Sequence, residues 1–324
     1  MCRHLTFVAC AALLAGCSAS PPGVPSSPAP ATGPSRTSDS STPTGLKRKD
    51  LIYISSAPHV YMFKFPSGAY IGKLSKTDYP QGLCTDSAGD VYVVDNITKR
   101  IGEYRHGALK PLRFLAYPGG YSDNYPTGCA TDPTTGDLAV MHGEDLARTR
   151  DSSSYSDVWI YRHAKGKPSG YSIATFDYLD YLCYDDDGNL FVDRETRYLN
   201  FGLSELAKGK TTFVALTLDK KMIKKVAWPG AMQWNDGLLA VGDPAYPNNY
   251  IFRLSISGTT ASFAGGTKLL SSYGLQEFAI QGDVVVATQD GAAAIWNYPA
   301  GGKPVTVLNQ VYAGYGAVVS LGSR

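Results

Sequence analysis

Along residues 51–324 the apolar positions come in runs of three to six, each broken by a Gly/Asp turn. Such short, turn-bounded runs read as β-strands, and nowhere does a helical period persist long enough to compete. One unit recurs. Gly82-Leu83-Cys84-Thr85-Asp86 is followed by Gly89-Asp90 and Val91-Tyr92-Val93-Val94. The same order returns as Gly128-Cys129-Ala130-Thr131-Asp132, Gly136-Asp137 and Leu138-Ala139-Val140, and as Tyr181-Leu182-Cys183-Tyr184-Asp185, Gly188-Asn189 and Leu190-Phe191-Val192. Looser copies run from Ala231 through Asp236-Gly237 to Val241, and from Leu275 through Gly282-Asp283 to Ala287. Each is a hairpin whose turn residues tolerate positive φ.

A second hairpin follows each first one, turning at Ser67-Gly68, His106-Gly107, Gly166, Lys208-Gly209, Ser257-Gly258 and Gly301-Gly302. Six second hairpins in 51–324 make about 46 residues per unit, the size of a four-stranded propeller blade. The opening Leu51-Ile52-Tyr53-Ile54 matches the second strand of a unit that lacks its first. Ala317-Val318-Val319-Ser320-Leu321 is left over at the C-terminus and can supply it, which leaves no open sheet edge. The expected fold is therefore all-β: a six-bladed β-propeller closed by pairing of the N- and C-terminal strands. A seven-bladed ring and a pair of β-sandwiches are the alternatives.

The first fifty residues follow another pattern. Residues 1–16 open with Arg3 and His4, continue through a short apolar run and end in Leu14-Ala15-Gly16-Cys17. This resembles the bacterial lipoprotein signal, which implies cleavage before Cys17, a thioether-linked lipid on its thiol and acylation, such as palmitoylation, of its amine; two or more chains hold stably where one is marginal. Residues 17–50 are almost all Ser, Pro, Thr, Ala and Gly up to Gly45, too polar to fold alone. The expected organisation is a signal peptide at 1–16, a lipidated Cys17 with a linker to 50, and the propeller at 51–324. The protein would be exported to the cell envelope and bound to the membrane through its lipid.

Charge changes the picture in one respect. The chain carries a formal net charge of +2. Five Lys and Arg against two Asp within 1–50 leave −1 for the propeller, so phosphate-driven binding of nucleic acid is not expected. Cys84, Cys129 and Cys183 occupy equivalent apolar positions. Their odd number leaves at least one unpaired, and their similar places in apolar runs favour small buried strand residues over a disulfide or metal site.

The units resemble NHL-type repeats, Gly82 to Asp95 being the best copy, and the whole of 51–324 is similar to the gluconolactonase/regucalcin-like group of six-bladed propellers. That resemblance implies the fold, and for an enzyme of the group a metal such as Ca²⁺ polarising a lactone carbonyl. The family's Glu-Gly-Pro-like start is replaced here by Pro80-Gln81-Gly82, Pro126-Thr127-Gly128 and Trp228-Pro229-Gly230, and Glu277 is the one acidic residue so placed. Asp193, Asp243 and Glu277 are the weak metal candidates. Asp95 and Asp290 end strands in the same way, a position where Asp commonly closes a turn. His59 and His142 lie near the loops without a nucleophile motif, so no catalytic residue is assigned.

Strand alternation sorts the loops onto two faces. One carries the turns within hairpins; the other carries the interblade connections. Every junction on the second face brings an aromatic residue: Tyr79, Tyr121, Tyr125, Tyr178, Tyr181, Trp228, Tyr273, Tyr312 and Tyr315. Rings with polar tips suit sugars, peptides or other amphipathic ligands. The reading is a monomeric, non-catalytic envelope protein that binds a small molecule, glycan or protein through this face and needs no cofactor. A metal-dependent lactonase- or lyase-type enzyme is the alternative. The linker should join the propeller on the opposite, hairpin-turn face. The insertion at 143–156 has no assigned role.

Overall fold

A computed structural model of the chain describes residues 50–118, 124–144, 157–173, 178–195, 201–220, 226, 230–244, 248–271, 274–289 and 291–322. All belong to the compact unit Leu46–Arg324. They form six sheets, five of four strands and one of five. The first sheet joins the two ends of the chain. In it β1 (Leu51–Ser56) pairs on one side with β2 (His59–Lys64), which pairs with β3 (Tyr70–Lys73). On its other side β1 pairs antiparallel with the last strand, β25 (Ala317–Ser320), in the register Leu51↔Ser320 to Ile54↔Ala317.

The remaining sheets begin with the inner strands β4 (Pro80–Thr85), β8 (Asn124–Thr131), β12 (Tyr178–Tyr184), β17 (Met232–Asn235) and β21 (Leu275–Gln281). These and β25 touch in cyclic order, β25 to β4, β8, β12, β17, β21 and back to β25. The protein is a six-bladed β-propeller sealed by its own ends, and neither a seventh blade nor a sandwich is needed.

Burial explains why the strands read as they do. All six residues of β1 are buried, because its two faces serve two interblade cores. Tyr53 packs with Val60, Met62 and Val93 on one side, Ile52 and Ile54 with Phe63, Ile295 and Val311 on the other. A strand covered on both faces needs a continuous apolar run. The repeated Asp that opens each first turn is structural. Asp86 Oδ1 accepts the N–H groups of Ala88 and Asp90, both at 2.9 Å, and Asp185 Oδ1 those of Asp187 and Asn189 at 3.0 and 2.8 Å. Gly89 and Gly188 complete those turns at φ 82° and 86°. The tyrosines that end third strands are also alike. Tyr104 donates to the Ser75 carbonyl at 2.7 Å and Tyr161 to that of Ala116 at 2.8 Å.

Two features depart from the sequence reading. The cysteines are not merely small strand residues: Cys84 of β4 and Cys129 of β8 form a disulfide between neighbouring blades, with Cα atoms 5.7 Å apart. Equivalent positions on adjacent inner strands face each other across the interblade gap, so the periodicity that argued for burial also creates the bond. Cys183, the third equivalent, is a buried free thiol whose pKa burial raises. The fifth blade also gains an extra strand. Residues Thr217–Leu218 run parallel to the edge strand Thr260–Leu270, a pairing that no hairpin pattern announces.

Candidate functional site

Four of the inner strands break their ladder at the same level. The register slips between Pro80 and Leu83, Pro126 and Cys129, Leu179 and Leu182, and Leu275 and Phe278. Each slip releases two residues, Gln81-Gly82, Thr127-Gly128, Asp180-Tyr181 and Gln276-Glu277, in the manner of a β-bulge. Glycine here permits close approach. A Cβ on Gly82 would stand 2.6 Å from Gly128 Cα, and one on Gly316 would stand 2.4 Å from the Gln81 carbonyl oxygen. Backbone meets backbone and the channel narrows to a waist.

The waist separates two cavities. One, of about 400 Å³, opens among the hairpin turns and is lined by residues such as Thr85, Asp86, Asp186 and Val319. The other, of about 190 Å³, opens on the interblade-loop face and is lined by Gln81, Thr127, Tyr181, Gln276 and Tyr315. Glu277 lines both.

Closing the ring builds this site. Glu277 Oε2 accepts the Ala317 N–H of β25 at 2.9 Å. The Glu277 N–H donates to Thr288 Oγ1 at 3.0 Å. Ser55 of β1 donates to the Gln81 carbonyl and accepts the Gly316 N–H, the latter at 2.6 Å. Burial pushes the Glu277 carboxyl up to about 8, and the single Ala317 N–H only partly opposes it. The folded pKa lies above the ordinary glutamate value of 4.5, so the folded state holds this proton more tightly than the unfolded chain does. Stability is therefore reduced as pH rises from that value toward about 8, where the buried group ionises.

The aromatic residues divide. Tyr79 and Tyr315 meet at the loop mouth with hydroxyls 3.2 Å and ring centroids 5.7 Å apart, and Tyr181 joins them in the wall. Tyr125 lies away from the cavity under Lys99, whose Nζ is 5.1 Å from its ring centre, and Tyr312 points outward with 79% of its surface exposed. Tyr121, Trp228, Tyr273 and the side chain of Tyr178 lie outside the described residues, as do Asp145, Asp290 and the side chain of Glu144. So does most of the insertion.

The acidic candidates are mostly structural. Asp193 Oδ1 accepts the Tyr181 N–H at 2.7 Å and so anchors the bulge of β12. Asp95 holds three N–H groups, those of Asp78, Tyr79 and Thr98. Asp243 is buried at the end of its strand. Among the described residues no three His, Cys, Asp or Glu side chains gather as metal ligands. Calcium takes six to eight oxygens, several of them anionic as a rule, and one carboxyl beside amides does not fit it. His142 is buried against the Tyr117 hydroxyl, and His59 Nε2 lies 2.8 Å from Lys73 Nζ. The sequence reading made Glu277 a candidate, quoted Gln81 and Thr127 only as departures from the family's motif, and passed over Gln276. Their signal was the position before each repeat's bulge glycine, or before Glu277 itself.

No protein-family model matches the chain, and no curated protein matches it in sequence. Solved structures do: 818 chains match in fold, too many to single out one activity. A chain of a nidogen/laminin complex aligns with a TM-score of 0.65 and 11% identity over 85% of this chain and 100% of its own. A protein of unknown function from Bacteroides caccae aligns with a TM-score of 0.58 and 11% identity over 84% of this chain and 99% of its own. At that identity the likeness shows the propeller fold and nothing finer.

Proposed function

We propose that the protein is a lipid-anchored recognition module of the cell envelope, non-catalytic, which binds a small molecule, glycan or protein through its interblade-loop face. The observation that carries this is the loop-side cavity walled by Tyr181 and Tyr315, with Tyr79 at its lip. Tyrosine side chains lining a concave pocket are a common means of binding amphipathic ligands. The sidedness agrees. Asp50, where the described chain begins, accepts the Gly322 N–H at 3.0 Å, and Ser320 bonds Gly89 of a first-hairpin turn. The chain thus joins the propeller on the hairpin-turn face, opposite the tyrosines. The Cys84–Cys129 disulfide agrees with export to an oxidising compartment. The repeats fit an NHL-like ancestry.

The test is a screen of the full chain in mild detergent against glycan and peptide libraries. Tyr315→Ala and Tyr79→Ala are expected to weaken a hit about tenfold or more, the scale of a central aromatic contact. Gln281→Ala, which alters the hairpin-side cavity, should leave affinity unchanged. Loss with Gln281→Ala and none with the tyrosine variants would contradict the reading.

A further inference from the structure

The described residues that line the two cavities include Asp86, Asp186 and Glu277 but no Lys, Arg or His. Asp86 and Asp186 line the hairpin-side cavity, and Glu277 is the one acid that also lines the loop-side cavity. At the channel's waist stands a half-buried carboxyl that lines both cavities, and the Ala317 N–H is its one hydrogen-bond donor among the described residues. A buried carboxylate without a cation is costly, and such groups cluster at functional sites. Nothing in the fold demands an acid there: the equivalent bulges place Gly82, Gly128 and Tyr181 at this level. The wall beside it consists of the tyrosine rings and amides of the loop-side cavity. Tyrosine faces attract organic cations, more strongly where water is excluded. About 190 Å³ is roughly six waters' worth of space at about 30 Å³ each, enough for an ammonium or guanidinium head and a short stem.

We propose that the loop-side cavity takes a cationic organic group, an ammonium or guanidinium, with the Glu277 carboxylate as its counter-ion and Tyr181 and Tyr315 as its walls. This rests on the loop face being the binding face and adds the charge of what it binds. Binding is linked to a proton. Without a cation beside it the carboxyl is mostly protonated at neutral pH, and a cation requires it ionised, so the proton leaves to solvent. The titratable groups that face the two cavities from other elements are Tyr181, Tyr315, Asp86, Asp186, Tyr184 and Cys183. Of these, burial raises the Asp86 carboxyl, and it pushes the Cys183 thiol and the Tyr184 hydroxyl well above their ordinary values.

Calorimetry on the full chain tests this with three probes: 1,5-diaminopentane, the neutral 1,5-pentanediol and calcium chloride. The diamine is expected to bind, releasing close to one proton near neutral pH. Its affinity should rise about tenfold between about pH 6 and about pH 7 and level off above about pH 8. Glu277→Gln keeps the shape and removes the charge, and should weaken the diamine at least about tenfold at high pH while abolishing the pH dependence. The wild-type pH profile stands without any variant. An affinity that falls as pH rises, or a Glu277→Gln variant that binds the diamine as well as wild type, overturns the counter-ion role. So does calcium alone binding in competition with the diamine. Should the diol bind, lose affinity with Tyr315→Ala and outcompete the diamine, the charge assignment fails and the binding face stands. If none of the three binds and a library hit maps to the hairpin-turn face, both readings fail.

Discussion

Removing residues 317–324 is expected to abolish cooperative folding. The truncation deletes β25, and with it the partners of Leu51, Ile52, Tyr53 and Ile54. It also opens two cores at once, since Val318 packs into the cluster of Tyr53 and Met62 and Val319 into that of Ile52 and Phe63. Each lost strand hydrogen bond is worth about 1 kcal/mol net, and each of the half-buried Val318 and Val319 about 1 kcal/mol. The loss exceeds about 5 kcal/mol, comparable to the whole stability of an ordinary domain, about 5–15 kcal/mol. A circular-dichroism melt and size-exclusion profile read the outcome. A truncated chain that elutes as a monomer and melts cooperatively within a few degrees of the full chain would contradict it.

The second large effect is that of the disulfide. Cys84 and Cys129 are 45 residues apart, and closing a loop of that length restricts the unfolded chain by about 4 kcal/mol in the chain-entropy account. For a propeller of this size, at about 2–4 °C per kcal/mol, reduction or Cys84→Ser with Cys129→Ser should lower the melting temperature by about 8–16 °C. Cys183 supplies the internal control. It is buried, and its thiol is held in the neutral form, so Cys183→Ser should leave the reductant effect intact. A melting temperature insensitive to reductant would show that the bond does not form.

The blade pattern was legible because it rests on local chemistry. Asp86, Asp132 and Asp185 with their glycines announce turns by residue type alone, and apolar runs between such turns announce strands. Ring closure followed from counting, since β1 lacked a partner and residues 317–321 lacked a use. The disulfide was misread because pairing depends on the interblade distance, which strand periodicity does not contain. The parallel strand Thr217–Leu218 was missed for a similar reason: it pairs with an edge more than forty residues further along the chain.

The candidate site was legible only in part. Tyr79, Tyr181 and Tyr315 stood out by position at the junctions, but position alone did not separate them from Tyr125 and Tyr312. Tyr181 is placed by the bulge of its strand, whereas Tyr79 and Tyr315 are brought to the mouth by the neighbouring inner strands they precede and by their contact with each other. Glu277 stood out as the single acid at its level. Its setting, a half-buried carboxyl between the two cavities, required the neighbouring strand that brings Ala317 and Gly316 against it.

Ring closure and site are therefore one construction, and native-state hydrogen exchange of the full chain tests it most directly. The amides of Leu51–Ile54 and of residues 317–320 that bond across β1 and β25 should exchange only with global unfolding, as slowly as those of Val91–Asp95 in the second blade. Rapid exchange at 317–320 while the other inner strands stay protected would mean that the C-terminal strand neither seals the ring nor holds Glu277.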